Sequence, residues 1–303
     1  MRQERVEIAP GLALAIRRWE AAPAAPAIPE RAAPADGPAD GPAAVPFVLV
    51  HGLASNARTW DGVAMVLAAL GHPAVAVDLR GHGLSDGPDG GYDVATVASD
   101  VAALVARLDL DRPVVVGQSW GGNVVLQLAA DHPSTVRGVV CADGGLIELV
   151  ETFPGWEACA EALAPPDLEG MPAVEFEARI RSAHPDWTDD GVAATMGNFI
   201  VRPDGTVSPR LPRERHMAIL RGLWEHRPSE ILADISVPVI FALADTGDAD
   251  WTATKRATAD RALASMSSAR VHWFTPADHD VHVQHPAELA SVLHGAVTDG
   301  FLA

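Results

Sequence analysis

Lysine is almost missing from this sequence. It occurs once, as Lys255, and the remaining Lys+Arg positions are arginine. That imbalance reads as a bias of coding composition, so no chemistry is assigned to Lys255. Cysteine is nearly as scarce. Cys141 and Cys159 are too few for a disulfide framework, and neither stands in a C-x-x-C spacing, so a reducing compartment is expected. Positive charge is in short supply as well: 22 Lys+Arg against 40 Asp+Glu give a formal net charge of -18. Such a surface repels phosphate backbones and anionic headgroups, so neither nucleic acid nor a membrane is an expected partner. No apolar run approaches the ~18–20 residues that span a bilayer. The opening Met-Arg-Gln-Glu-Arg-Val-Glu-Ile lacks the apolar centre of a signal peptide, and the expected location is the cytoplasm.

What the chain does have is apolar mass. Hydrophobic residues make up 48% of 303 positions, enough for a large core. Residues 4–19 alternate as an opening strand or hairpin. Residues 21–46 are Ala, Pro, Gly and Asp, a composition too poor in large apolar surface to order itself, and read as a surface loop. Beyond Val45, short apolar runs end in Gly- or Asp-rich turns and are followed by helical patterns. Strands are expected at Phe47–Val50, Ala74–Asp78, Pro113–Val116, Gly138–Cys141, Val237–Leu243 and Ala269–Phe274. Helices are expected at Trp60–Leu70, Val94–Leu108, Trp120–Asp131, Trp251–Ser267 and Pro286–Val297. Runs that are apolar on both faces fit a mostly parallel sheet covered by helices on both sides. Residues 146–235 break the rhythm, and the strands then resume, so 1–145 and 236–303 are expected to form one α/β core with 146–235 as an inserted helical cap.

The strongest chemical signal is Gly117-Gln118-Ser119-Trp120-Gly121, directly after one strand and directly before a helix. A nucleophile on so tight a turn needs flanking glycines, and the helix start offers free N–H groups to developing negative charge. A second signal is Ala277-Asp278-His279-Asp280-Val281-His282-Val283-Gln284-His285-Pro286, after the last strand. Its three histidines could instead form a metal site, although no Cys or carboxylate cluster completes one nearby.

With these two segments the chain resembles the α/β-hydrolases, a superfamily of mostly parallel, eight-stranded sheets flanked by helices. The resemblance implies a Ser119 nucleophile and a His279 base, the latter seven residues before Pro286 with Gln284 at the usual Glu place. It implies an oxyanion hole from the backbone N–H groups of Leu53, in His51-Gly52-Leu53, and Trp120. It also implies an acid between Ser119 and His279. In Leu243-Ala244-Asp245-Thr246-Gly247-Asp248 the preferred candidate is Asp248, with Asp245 in reserve, and Asp143 in Cys141-Ala142-Asp143-Gly144-Gly145 is third. Asp78-Leu79-Arg80-Gly81-His82-Gly83-Leu84-Ser85-Asp86 is a further family mark, read as a structural turn.

The implied activity is hydrolysis of a small hydrophobic ester through a Ser-His-Asp triad and an acyl-enzyme, like a carboxylesterase (EC 3.1.1), with no cofactor and no metal and only a small-molecule partner. Haloalkane dehalogenases and epoxide hydrolases of this fold need a carboxylate where this chain has Ser119. A C–C bond hydrolase, an aminopeptidase or a non-catalytic ligand-binding member stays open, although His51-Gly52-Leu53-Ala54 lacks the H-G-G-P loop of proline iminopeptidases. Trp120, Trp156, Trp187, Trp224 and Phe199 are expected to line an apolar cleft.

Overall fold

The computed structural model describes residues 1–22 and 44–303, so most of the loop expected over 21–46 lies outside the described residues. The strands are β1 (Arg2–Ala9), β2 (Leu12–Trp19), β3 (Phe47–Val50), β4 (Ala74–Val77), β5 (Val114–Gln118), β6 (Gly138–Ala142), β7 (Phe199–Val201), β8 (Val207–Pro209), β9 (Val239–Ala244) and β10 (Ala269–Phe274). Eight of them form one sheet in the order β1-β2-β4-β3-β5-β6-β9-β10. The opening hairpin is antiparallel and β2 meets β4 antiparallel, while every pairing from β4 to β10 is parallel.

The helices are α1 (Asp61–Ala69), α2 (Val94–Arg107), α3 (Trp120–Asp131), α4 (Leu149–Thr152), α5 (Trp156–Leu163), α6 (Ala173–Ala183), α7 (Asp189–Met196), α8 (Arg213–Glu225), α9 (Pro228–Ile231), α10 (Ala249–Ser265), α11 (Val281–Gln284) and α12 (Pro286–Thr298). Every residue of β3, β4, β5, β6 and β9 is buried. The apolar runs are explained by two cores. Val97, Val101 and Leu104 of α2 and Val124 of α3 pack on one face of the sheet with Val48 and Val50. On the other face Val63 and Leu67 of α1 and Leu289 and Leu293 of α12 pack with Phe47 and Leu49.

Residues 146–235 leave the sheet after β6 and return at β9, carrying α4–α9. They are not wholly helical, because β7 and β8 form an antiparallel ribbon. Its turn is Arg202-Pro203-Asp204-Gly205-Thr206, where Gly205 takes φ +81° and Asp204 Oδ1 accepts the Thr206 N–H at 3.0 Å. Pro-Asp-Gly is a turn signal, and its polar neighbours Arg202 and Thr206 mask the short strands on either side. The insertion is tied to the core where Asn56 Nδ2 donates to the Ala194 carbonyl at 2.9 Å and where Ile180, Trp187 and Val192 pack with Val283 of α11.

The turn after β4 is tied down by its own side chains. Arg80 makes a two-pronged ion pair with Asp100 of α2, at 2.5 and 2.6 Å, with both side chains 9% exposed. Asp86 instead accepts from Arg5 and from the Ala13 N–H. Removing one partner of a buried pair leaves an uncompensated charge, so Asp100→Ala is expected to cost about 3–5 kcal/mol of stability. Urea denaturation measures it. A loss below about 1 kcal/mol, the range of exposed pairs, would show that solvent screens Arg80.

Candidate active site

The parallel strands deliver their carboxyl ends to one edge of the sheet, and the candidate residues collect there. Ser119 sits between β5 and α3 with φ 55° and ψ -123°, a conformation that costs energy in any residue with a Cβ. It is held there by its own N–H donating to the Ala142 carbonyl at 3.0 Å and by its carbonyl accepting the Gly122 N–H at 2.8 Å. The flanking glycines are a matter of space. A Cβ on Gly117 would lie 2.1 Å from the Gly121 carbonyl oxygen, and a Cβ on Gly121 would lie 2.5 Å from the His51 carbonyl oxygen.

Trp120 is the first residue of α3, so helix geometry leaves its N–H without an intrahelical carbonyl. Among the described residues neither this amide nor that of Leu53 donates to a backbone carbonyl. His51 braces the Leu53 loop: its Nε2 accepts the Leu79 N–H at 3.0 Å and its Nδ1 meets the Gly52 carbonyl at 2.7 Å. Complete burial lowers its pKa to about 4, so the ring is neutral, with the proton on Nδ1.

The carboxylate that meets His279 is Asp143, the third of the three candidates. His279 Nδ1 lies 2.7 Å from Asp143 Oδ2, and the carboxylate side chain is 3% exposed. Its other oxygen, Oδ1, accepts the Ala244 N–H at 2.9 Å and the Lys255 ammonium at 2.6 Å. The preferred Asp248 is instead an exposed cap of α10, its Oδ1 accepting the Trp251 N–H at 2.9 Å. Asp245 accepts the Gly247 N–H at 3.0 Å and the Thr252 hydroxyl at 2.8 Å, with Arg256 at 3.5 Å. The turn after β9 therefore spends both carboxylates on starting a helix. β6 lies beside β5, and Asp143, at φ 42° with its N–H on the Ala242 carbonyl, stands one strand from Ser119.

The electrostatics of the pair are reciprocal. Burial alone would raise the Asp143 pKa, but the His279 hydrogen bond and the charges of His279 and Lys255 hold it below the usual carboxylate value. Desolvation pulls the His279 pKa down, the bond and charge of Asp143 with help from Asp280 overcome it, and the net result lies above the ordinary histidine value. Because a carboxylate only accepts, Nδ1 carries the proton and Nε2 is left free. Burial raises the pKa of Asp280.

Ser119 and His279 line one cleft of about 220 Å³, with Leu53, Thr59, Gln118 and, from the insertion, His184, Trp187 and Thr195. The Ser119 hydroxyl turns on a single χ1 and makes no side-chain hydrogen bond among the described residues. Of the aromatic residues expected here, only Trp187 lines the cleft, stacked on His184 at 3.9 Å. Trp120 is fully buried, Trp156 and Trp224 pair with each other on the main core, and Phe199 meets Phe176. The three histidines of the last loop point apart: His279 to Asp143, His282 buried against Trp60, and His285 to the Pro276 carbonyl. Lys255, read from the sequence as a coding bias without chemistry, meets this cluster through Asp143.

A family model described as alpha/beta hydrolase fold matches residues 45–178, a stretch that holds Ser119 and Asp143 and ends before His279. An uncharacterized protein of Mycobacterium tuberculosis is 37% identical over 138 residues, 44% of this chain and 40% of its own length. The 2-(acetamidomethylene)succinate hydrolase of Mesorhizobium japonicum is 30% identical over 173 residues, 57% of this chain and 61% of its own. These matches span less than two thirds of either relative. No helix among the described residues is long and apolar enough to cross a membrane. Over the whole length, a crystal structure of E-2-(acetamidomethylene)succinate hydrolase superposes with a TM-score of 0.72 at 23% identity, covering 97% of this chain and 98% of that one. Strand order, the matched family model and this superposition show that the chain has the alpha/beta hydrolase fold.

Proposed function

We propose that the protein is a serine hydrolase that cleaves esters of small acyl groups through an acyl-enzyme. The observation that carries this reading is that one cleft holds Ser119, on its strained strand-to-helix turn, and His279, whose far nitrogen is bonded to the buried Asp143. His279 Nε2 takes the Ser119 proton as the oxygen attacks the carbonyl carbon, and Asp143 stabilises the imidazolium that forms. The free amides of Leu53 and Trp120 receive the tetrahedral oxyanion. His279 then protonates the leaving alkoxide, and a water activated by the same nitrogen releases the acid.

The cleft lining supports a small and uncharged acyl group. Leu53, Trp187 and Val283 offer apolar surface, Thr59, Gln118 and Thr195 offer hydrogen bonds, and no Arg or Lys stands among the lining residues described. A substrate with two carboxylates, such as the name of the Mesorhizobium relative implies for that protein, would meet Asp280 here instead of a guanidinium. The lining is more polar than the tryptophan count implied, so the acyl group is short with a polar part, in place of a purely hydrophobic one.

With p-nitrophenyl esters, acetate and butyrate are expected to be cleaved in preference to laurate, and Ser119→Ala should abolish the activity while leaving the circular dichroism spectrum unchanged. Residual hydrolysis at the wild-type rate in that variant would remove Ser119 from the mechanism. Asp143→Asn is expected to lower kcat by roughly 10⁴, the size seen when a triad acid becomes an amide. Asp248→Ala should cost about 1 kcal/mol of stability as a lost helix cap and leave kcat within a few-fold; the opposite ranking in steady-state assays would return the acid to the turn after β9. Because the neutral ring is the base, kcat/KM should fall as pH drops through the His279 pKa. Its acid limb is expected above the ordinary histidine value of about 6.5, and an inflection clearly below that would contradict the Asp143 pairing.

A further inference from the structure

We infer that Lys255 is a positioning residue for the Asp143–His279 pair: its ammonium fixes the second carboxylate oxygen and opposes the positive charge that forms on the imidazole. The inference rests on the proposed roles of Asp143 and His279. Lys255 Nζ lies 2.6 Å from Asp143 Oδ1 and 3.0 Å from the Ala244 carbonyl, and its side chain is 17% exposed. Both acceptors converge on one nitrogen. An ammonium, a compact point donor with three N–H bonds, serves such a pair, whereas the planar guanidinium fork is built for two parallel acceptors. In a chain whose other Lys+Arg residues are all arginine, the one lysine stands where an arginine fits poorly.

The carboxylate is thereby pinned at both ends. Oδ1 is held by the Ala244 N–H from the end of β9 and by Lys255 from α10, and Oδ2 is left for His279. The charges facing the imidazole are Asp143 from β6, Asp280 beside it in the loop, and Lys255; His282 of α11 is neutral, with its pKa lowered to about 3 by burial. From the insertion, His184 faces Asp280 and Asp278. On the far side of Lys255, the Trp251 ring centroid is 5.8 Å from Nζ, and Arg256 turns to Asp245. Without Lys255, Asp143 would hold the proton on His279 to higher pH. Lys255 offsets part of that pull, so the acid can orient the ring without over-stabilising the imidazolium in the resting state.

The direction follows. Removing the ammonium removes a repulsion from the imidazolium, so His279 keeps its proton to higher pH. In Lys255→Met the acid limb of kcat/KM is expected to move up by roughly one pH unit, the size of one nearby charge. At pH 6 the loss is then about tenfold, while at pH 9 the rate stays within about threefold of wild type. Lys255→Arg, which keeps the charge, should leave the limb in place. A merely structural lysine would lower the rate equally at all pH values, and an unmoved limb in a folded Lys255→Met overturns the inference.

A second measurement needs no variant at that position and no turnover. Protein grown on [13Cε]lysine gives one lysine side-chain signal, because there is one lysine. That signal is expected to titrate with the inflection of His279 and to lose the inflection in His279→Ala. A signal flat across this range, or one unchanged by His279→Ala, overturns the inference even if Lys255→Met does not fold. If Ser119→Ala stays active while the lysine signal still tracks His279, the proposed hydrolysis fails and the coupling stands.

Discussion

Burying a carboxylate is expensive unless hydrogen bonds and opposite charge meet it, and the cleft depends on how Asp143 meets that requirement. Its donors come from three separate elements: a backbone amide at the end of β9, an ammonium on α10 and an imidazole in the loop after β10. All three lie far from Asp143 in sequence, at separations of 101, 112 and 136 residues. Only a sheet in which β6 and β9 are neighbours, with β10 beyond, brings them together. The site geometry is thus a consequence of strand order as much as of the residues at the cleft. The strain at Ser119 and Asp143, both at positive φ, is held by the same ladder, since their N–H groups bond the Ala142 and Ala242 carbonyls.

The sheet also decides which side the chemistry occupies. Parallel strands put all their carboxyl ends on one edge, and the reversal of strand order at β3 opens a crevice there. The Leu53 loop follows β3 and Ser119 follows β5, so the two free amides flank that crevice without any long-range device. The insertion then adds one wall. His184, Trp187 and Thr195 reach the cleft from residues that the sheet does not constrain, and Val283, three residues after Asp280, packs into the insertion's own small core. The loop bearing His279 and the wall facing it are therefore mechanically joined.

Much of the fold is legible in the amino-acid sequence. β3 falls where its apolar run begins and ends, because a strand buried on both faces declares itself by composition. Ser119 and His279 were legible because their positions depend on local features: a glycine-flanked turn and a loop before a proline. Asp143 was harder. Asp245, Asp248 and Asp143 each stand near a strand end, and what separates them is which strand neighbours β5, a fact of tertiary pairing. A carboxylate just before a helix has a competing local use as its cap, and Asp248 takes it. The tryptophans misled for a similar reason. A large apolar side chain gains as much from a core as from a cleft, and Trp156 and Trp224 pack on the core. Lys255 stands out in the sequence only as the one lysine, because a lone cation on a helix acquires meaning from what lies opposite it.

In the proposed mechanism Ser119 is the nucleophile of a working Ser–His–Asp constellation. It is tested most directly by trapping that oxygen with a fluorophosphonate and reading the product by intact-protein and peptide mass spectrometry. The account predicts one adduct, on the peptide containing Ser119, absent in Ser119→Ala and formed far more slowly in Asp143→Asn. An adduct at another residue, or trapping at the same rate after Asp143→Asn, would contradict it.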